Sequence, residues 1–245
     1  MALDTLVERY RLARRNPELA VIEGFHAFKH ALRFGADIVE AAAAGSTDLE
    51  MLAARLAPDV GGAMGAIVQR VPDGIFAVLS PGHVPTGVIA IAHRPSIAID
   101  ETFAGAGATP IVLLENARSP FNVGAAVRVA AAASAAGVFV TGNIDPWSPA
   151  ALRASAGLAF ALPVAHINDL PDSDRPIIAI DPVGEDLPSG MLPARAVLAF
   201  GGERAGLSDG LREAASRRVR IPMREGVSSL NLATAVAVVL YTMAP

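Results

Sequence analysis

Val197-Leu-Ala-Phe-Gly-Gly-Glu-Arg-Ala-Gly206 joins a short apolar run directly to two glycines and a carboxylate. An apolar run without polar alternation predicts a strand of a parallel sheet that helices cover on both faces. In open α/β sheets, ligands bind beyond the carboxyl ends of such strands, where glycine lets another group approach the backbone closely. The stretch lacks the lysine of a phosphate loop. It therefore predicts a ligand site of another kind or, equally well, only a tight turn between a strand and a helix.

The second half of the chain contains more strands of this type. They are predicted at residues 111–114, 138–141, 177–180, 197–200 and 219–221. Helices are predicted over residues 122–136, 149–155, 208–217 and 229–243 from their capping residues and apolar spacing. Strands that alternate with helices indicate an α/β fold with a mainly parallel sheet.

The first part of the chain is predicted to form a separate, smaller α/β unit. Helices are expected over residues 3–15, 25–35 and 48–57, the last opened by a capping box of Thr47 and Glu50. Strands are expected at residues 19–22, 66–69, 76–79 and 88–92. Residues 97–109 are rich in Pro, Gly and Ala and are predicted to be a linker. The expected domains are therefore residues 1–96 and 110–245.

Composition excludes several classes of protein. Apolar residues make up 52% of the chain and charged residues 18%, which is typical of a globular protein and not of a disordered one. We find neither a clean apolar span of about 20 residues nor a signal peptide, so we expect a cytoplasmic protein without a membrane segment. Cysteine is absent, which excludes disulfides and thiolate metal sites. His26 and His30 have the spacing of a zinc-binding pair, but ordinary helical histidines are favoured, and no metal is expected.

The net charge of −4 excludes the overall basic character of many nucleic-acid-binding proteins. Any RNA site must then be a local patch. Two groups of arginines are candidates for it, although such groups are more often solvated faces. They are Arg9, Arg11, Arg14 and Arg15 near the start, and Arg212, Arg217, Arg218, Arg220 and Arg224 near the end.

Two further stretches carry candidate chemistry. Leu114-Glu-Asn-Ala-Arg-Ser-Pro-Phe-Asn-Val-Gly-Ala-Ala-Val-Arg128 places Asn122 at a helix start, and the long side chain of Arg128 can reach back toward that start. Ile221-Pro-Met-Arg-Glu-Gly-Val-Ser-Ser-Leu-Asn231 leads into an apolar helix. Spacing alone favours simple explanations. Asn122 would cap one helix, Ser228, Ser229 and Asn231 would cap the next, and Arg128 would form a surface ion pair. Ligand binding is the alternative.

In this order and with these gaps, the three stretches resemble the motifs of the SpoU (TrmH-like) branch of the SPOUT RNA methyltransferases, over about residues 110–243. Residues 23–32 and 85–88 resemble, more loosely, the L30e-like substrate domain that often precedes this catalytic domain. The resemblance implies an α/β catalytic domain whose C-terminal segment forms a trefoil knot, an exception to the rule against threading. It also implies a homodimer in which the knots face each other.

The resemblance further implies S-adenosyl-L-methionine as the cofactor, bound among residues 201–206, 221–223 and 229–230. The matching cofactor-binding positions are Gly201, Gly202, Ile221, Met223, Ser229 and Leu230. The matching catalytic positions are Asn122, Arg128, Glu203, Ser229 and Asn231. Members of the family use the arginine at the position of Arg128 as the proposed acceptor of a ribose proton. Holding a phosphate or stabilising an alkoxide is chemically easier for a guanidinium.

The implied function is methylation of a ribose 2'-hydroxyl in RNA, with ribosomal RNA as the preferred substrate and transfer RNA as the alternative. A non-catalytic RNA-binding protein that keeps this fold is a competing hypothesis. A Rossmann-type nucleotide enzyme is disfavoured, because residues 115–122 contain no glycine.

Overall fold

The computed structural model describes residues 3–82, 86–187 and 192–243. The chain divides into two compact units, one of Met1–Ser96 with Trp147–Ala161 and one of Ile97–Pro146 with Leu162–Pro245. This division differs from the expected domains at residues 147–161, which join the first unit. Two contacts within that unit explain the difference. Arg153 Nη1 donates to Glu23 Oε2 at 2.6 Å, and His30 Nδ1 lies 2.7 Å from the carbonyl oxygen of Ala156.

The first unit is built on a four-stranded mixed sheet. Its elements before residue 96 are α1 (Leu3–Ala13), β1 (Leu19–Glu23), α2 (Phe25–Arg33), β2 (Ile38–Ala44), α3 (Leu49–Leu56), α4 (Gly61–Ile67), β3 (Val68–Val71), α5 (Asp73–Leu79) and β4 (Val88–His93). The strand order is β1-β4-β2-β3, in which only β2 and β3 are parallel. The predicted α/β character of this unit is confirmed. Pro85, part of the weaker resemblance, lies outside the described residues.

Several local predictions for the first unit are wrong. The predicted strand at residues 76–79 is part of helix α5, and Phe76 and Leu79 are buried one turn apart. Strand β2 was missed because its Ala41–Ala44 run is typical of a helix; these alanines are buried, and the strand lies inside the sheet. Helix α3 is capped by Asp48, whose Oδ1 accepts from Met51 N at 2.9 Å. Thr47 is not the cap, because its hydroxyl donates to Gly87 O at 3.3 Å.

The second unit contains a six-stranded sheet in which every strand pair is parallel. In chain order the elements are α6 (Ile99–Ala104), β5 (Ile111–Glu115), α7 (Pro120–Ala132), β6 (Gly137–Val140), α8 (Pro149–Ala154, in the first unit), β7 (Val164–His166), β8 (Ile177–Asp186), β9 (Val197–Gly201), α9 (Asp209–Ala214), β10 (Arg217–Arg220) and α10 (Leu232–Met243). The strand order is β10-β8-β9-β5-β6-β7. The predicted parallel sheet is confirmed, although the short strand β7 was not predicted.

Residues 97–109 do not form the predicted linker. They contain helix α6, and Phe103 is fully buried in the core of the second unit with Ile111 and Phe139. Arg175 fixes the end of this helix, since its guanidinium donates to Phe103 O and Gly105 O, both at 2.9 Å. The described helices include none long and apolar enough to span a membrane. Within the same residues no cluster of three or more His, Asp or Glu could hold a metal ion.

Candidate active site

Strands β5 and β9 bring two of the three motif stretches together. The strands are parallel neighbours, with Glu115 in register with Gly201. Because their carboxyl ends meet at one edge of the sheet, the loops that follow them start side by side. Residues 201–206 fold tightly at this edge. Gly206 closes the loop through a bridge to Gly202 and has a φ of +67°, a backbone conformation that favours glycine.

Gly201 and Gly202 are required by close backbone approaches. A Cβ on Gly201 would lie 2.1 Å from the carbonyl carbon of Gly206, and one on Gly202 would lie 2.3 Å from Asn116 O. Both distances are far below any van der Waals contact. The loop therefore needs glycine at 201 to fold back on Gly206, and glycine at 202 to lie against the end of β5.

A buried carboxylate anchors the far end of the same loop. Glu115 is 8% exposed, and its two oxygens accept from the backbone N and the hydroxyl of Ser208, each at 2.6 Å. The hydroxyl of Ser208 in turn accepts from Leu211 N at 3.2 Å and caps α9. Hydrogen bonds to an ionised acceptor are about twice as strong as neutral ones. Glu115 thus fixes where the loop ends and α9 begins.

Three predicted catalytic side chains form one hydrogen-bonded chain. Asn122 Nδ2 donates to Glu203 Oε1 at 2.6 Å, and Asn231 Nδ2 donates to Asn122 Oδ1 at 3.0 Å. The second oxygen of Glu203 accepts from Arg118 N at 2.9 Å. The chain ties the start of α7, the glycine loop after β9 and the start of α10 to one another.

The interpretation of Asn122 as a helix cap is wrong. Helix α7 begins two residues earlier at Pro120, and Ser119 is its cap, accepting from Asn122 N at 3.4 Å. The side chain of Asn122 is therefore free to bind Glu203 and Asn231. Capping does apply to Asn231, whose Oδ1 accepts from Ala233 N and Thr234 N at 3.0 and 3.3 Å. Helix α10 consequently begins at Leu232 and not at Ser229.

Glu203 is held in its charged form. Burial acts to raise the pKa of this carboxyl, but the hydrogen bonds from Asn122 and Arg118 N and the charge of Arg118 outweigh it and leave the pKa below its usual value. Glu203 therefore accepts hydrogen bonds with both oxygens at neutral pH. A protonated carboxyl would lose one of these acceptor positions.

Arg128 is exposed on α7, the helix that carries Asn122. It has no hydrogen bond or ion pair with any residue in the described part of the chain, so the predicted surface ion pair is wrong. Its guanidinium is available to a ligand. The alternative interpretation, in which Arg128 binds a ligand, agrees with the exposure of its side chain.

A cleft of about 590 Å³ opens beside the hydrogen-bonded chain. All six predicted cofactor-binding residues line it: Gly201, Gly202, Ile221, Met223, Ser229 and Leu230. Glu203 and Asn231 also line it. Asn122 and Arg128 are not lining residues, but Asn122 is bonded to two that are.

The sequence analysis missed Asp181 in the wall of this cleft. Its side chain is 3% exposed, and its oxygens accept from Val183 N at 2.9 Å and from Arg212 Nε at 2.7 Å. Burial acts to raise the pKa of Asp181, but these two hydrogen bonds and the charge of Arg212 leave it below its usual value. The available signal was its position, since Asp181 directly follows the predicted strand at residues 177–180.

Comparison with known proteins identifies relatives of this chain. The model of the SpoU rRNA Methylase family matches residues 109–241. An uncharacterised tRNA/rRNA methyltransferase of Mycobacterium bovis is 35% identical over 202 residues, which cover 77% of this chain and 69% of that protein. A 23S rRNA (adenosine(1067)-2'-O)-methyltransferase of Streptomyces azureus is 27% identical and covers 98% of this chain and 91% of its own length.

The fold has close solved counterparts. The crystal structure of the SpoU methyltransferase AviRb from Streptomyces viridochromogenes, in complex with the cofactor AdoMet, superimposes with a TM-score of 0.78. The match covers 97% of this chain and 96% of AviRb at 22% sequence identity, which establishes a common fold. With the family model matching more than half of its length, the chain belongs to the SpoU rRNA methylase family.

Proposed function

We propose that this protein transfers a methyl group from S-adenosyl-L-methionine to a ribose 2'-hydroxyl of RNA, with ribosomal RNA as its substrate. The observation that carries the proposal is the hydrogen-bonded chain of Asn122, Glu203 and Asn231 at the edge of the 590 Å³ cleft. Asn122 lies on α7, the helix that also presents Arg128. The relative from Streptomyces azureus, named as a 23S rRNA 2'-O-methyltransferase, supports both the reaction and the choice of RNA.

The cleft fits S-adenosyl-L-methionine in size and in chemistry. Its volume lies within the range of about 300–1,000 Å³ found for small-molecule sites. Ile221 and Leu230 offer apolar surface to an adenine ring, while the tight glycine loop brings backbone polar groups to the wall. When bound, the cofactor supplies an electrophilic methyl group on its sulfonium. A sulfonium donor needs no metal, and we propose that none takes part.

Residues of this protein position the ribose and stabilise the charge that develops on its 2'-oxygen. A 2'-hydroxyl is a poor nucleophile, and its proton passes to solvent water as its oxygen takes the methyl group, so the negative charge that develops on that oxygen must be stabilised. We assign this role to Arg128, together with contact to an adjacent phosphate, because arginine keeps its proton up to about pH 12 and accepts another group's proton poorly. Asn122, Glu203 and Asn231 hold α7 against the cofactor loop, and Ser229 contributes a hydroxyl at the cleft wall. Alignment of this kind contributes several kcal/mol to catalysis.

We also propose the homodimer and the trefoil knot. Phe121 on α7 and Tyr241 on α10, two helices that pack against each other, have large apolar side chains with exposed fractions of 56% and 58%. A second copy that covers them would bury this surface. The proposal of a threaded C-terminal segment rests on membership of the SpoU rRNA methylase family. An RNA substrate of this kind would be met in the cytoplasm.

A methyl-transfer assay tests the function. Purified protein is incubated with tritiated S-adenosyl-L-methionine and with unmethylated 16S rRNA, 23S rRNA or total tRNA, and label in RNA is counted. We expect label in ribosomal RNA. Label only in tRNA would replace the substrate and keep the reaction. Binding of RNA without any transfer, in the presence of bound cofactor, would instead favour a non-catalytic RNA-binding protein.

A further inference from the structure

Four of the ten arginines of the second unit form ion pairs with carboxylates of described residues. Arg195 binds Asp174 at 2.6 Å, Arg217 binds Glu185 at 2.7 Å, and Arg220 binds Asp186 at 2.6 Å. Arg212 is likewise paired with Asp181 and Asp209. A paired guanidinium offers a phosphate little net charge, so the predicted C-terminal arginine patch is largely neutralised. Three of the four arginines of the N-terminal patch are paired as well, Arg9 with Glu40, Arg11 with Glu8 and Arg14 with Glu23.

The arginines near the hydrogen-bonded chain of Asn122, Glu203 and Asn231 do not form such ion pairs with described residues. Arg118, Arg128 and Arg204 are exposed, and within the described residues none of them forms a side-chain hydrogen bond or ion pair, although the charge of Arg118 acts on Glu203. Arg218 and Arg224 also form no side-chain hydrogen bond or ion pair in the part of the chain that the structure describes, but no hydrogen bond there links them to Asn122, Glu203 or Asn231. The backbone of Arg118 donates to Glu203, and Arg204 directly follows Glu203 and lines the cleft. Arg128 lies on α7 with Asn122.

We propose that Arg118 and Arg204 bind phosphates of the RNA segment that carries the target ribose, and that with Arg128 they form an arginine rim around the site. This inference rests on the proposed function. It deepens that function by naming the surface that holds the polyanion.

Charge explains why a rim is needed and why these residues supply it. The chain carries a formal charge of −4, so its overall field repels RNA, and attraction must come from unneutralised cations close to the reacting ribose. Glu203, which precedes Arg204 in sequence, is engaged through both oxygens by Asn122 and by Arg118 N. Arginine side chains next to it can therefore turn outward, where a guanidinium binds phosphate through two parallel hydrogen bonds.

The test measures RNA binding as a function of salt. Filter binding of radiolabelled 23S rRNA is compared for the wild type, Arg118→Gln and Arg204→Gln, with Arg217→Gln as a matched control that removes the same charge from an ion-paired arginine of β10. We expect each rim variant to bind about tenfold more weakly at low salt. The slope of log K for RNA association against log salt concentration should become less negative by about 0.9 per variant, which is the contribution of one phosphate contact. The control should keep both values.

Three outcomes would overturn the rim. Rim variants could keep the affinity and salt slope of the wild type. Arg217→Gln could lose as much affinity as they do, in which case only net charge matters. Either rim variant could lose its affinity for S-adenosylhomocysteine in parallel, which would assign that arginine to the cleft. If wild-type protein methylates RNA while any of these occurs, only the rim is wrong. If wild-type protein transfers no methyl group, the proposed function fails, whatever the binding data.

Discussion

Asn122 and Glu203 lie 81 positions apart in the chain, and the side-chain amide of the first donates a 2.6 Å hydrogen bond to the carboxylate of the second. Through this bond the helix that presents Arg128 is tied to the glycine loop that lines the cleft. Asn231 extends the connection to the start of α10. The position of the RNA ribose relative to the proposed cofactor therefore depends on these three hydrogen-bonded side chains.

Removing the carboxylate of Glu203 should break this connection. In Glu203→Ala the donors Asn122 Nδ2 and Arg118 N both lose their acceptor. We expect kcat for methyl transfer to fall about 100-fold, because a displacement of about 1 Å between reacting groups costs that much. Glu203→Gln keeps one good acceptor and should lose less. Steady-state kinetics check this, with Glu213→Ala on the exposed part of α9 as the control. Equal activity of Glu203→Ala and the control would contradict the positioning role.

Arg128→Ala should separate catalysis from stability. The side chain contacts no other group in the described residues by hydrogen bond or ion pair, so the melting temperature should stay within about 1 °C of the wild type, as for most surface substitutions. We expect kcat to fall about 100- to 1,000-fold, the usual loss when one stabiliser of transition-state charge is removed. Arg128→Lys keeps the charge but not the planar fork and should recover part of the rate. Normal methyl transfer by Arg128→Ala would remove this residue from the mechanism.

Glu115 should set the affinity for the cofactor without contacting the reacting atoms. Glu115→Ala leaves the backbone N and hydroxyl of Ser208 without their acceptor, at a cost of about 1–3 kcal/mol in unfolding free energy. With the loop end released, we expect the Kd for S-adenosylhomocysteine to rise about tenfold in calorimetry. Glu115→Gln can accept from Ser208 N and donate to the Ser208 hydroxyl, so it should restore most of the affinity. Failure of the glutamine variant to do better than alanine would contradict a positioning role.

Gly202→Ala should abolish cofactor binding. The new methyl group would lie 2.3 Å from Asn116 O, which is backbone and cannot rotate away. The loop must then move off the end of β5, and we expect no detectable heat with S-adenosylhomocysteine. Gly210→Ala is the matched control, because a Cβ there meets nothing within 4 Å and alanine favours the helix by about 1 kcal/mol. Binding by Gly202→Ala with wild-type affinity would show that the loop does not form the cofactor site.

The extent of sequence-based prediction differs between the sheet and the site. Apolar runs identified five of the six parallel strands, since burial on both faces is visible in the composition of β5, β6 and β9. Strand β10 is an exception, because it buries only Val219 between exposed or half-buried arginines. The alanine strand β2 was not predictable, because only its central place in the sheet selects an extended conformation. The transfer of residues 147–161 to the first unit depends on Glu23, about 130 positions away.

For the site, motif order led to residues that the structure brings together around one cleft, but local spacing assigned the wrong partner to Asn122. Ser119 competes successfully for the cap three residues earlier, and the true partners Glu203 and Asn231 are distant in the chain. Asp181 could have been found, because it directly follows Ile177–Ile180, the part of β8 that pairs with β9, and so lies beside the carboxyl end of β9 where ligands bind.

The most direct test of the account is the position of the methyl group. RNA labelled by the protein with tritiated S-adenosyl-L-methionine is digested with alkali, which needs a free 2'-hydroxyl to cleave the neighbouring phosphodiester bond. We predict that the label is recovered in alkali-resistant dinucleotides and disappears with Arg128→Ala. Label recovered in mononucleotides would place the methyl group on a base and contradict the account.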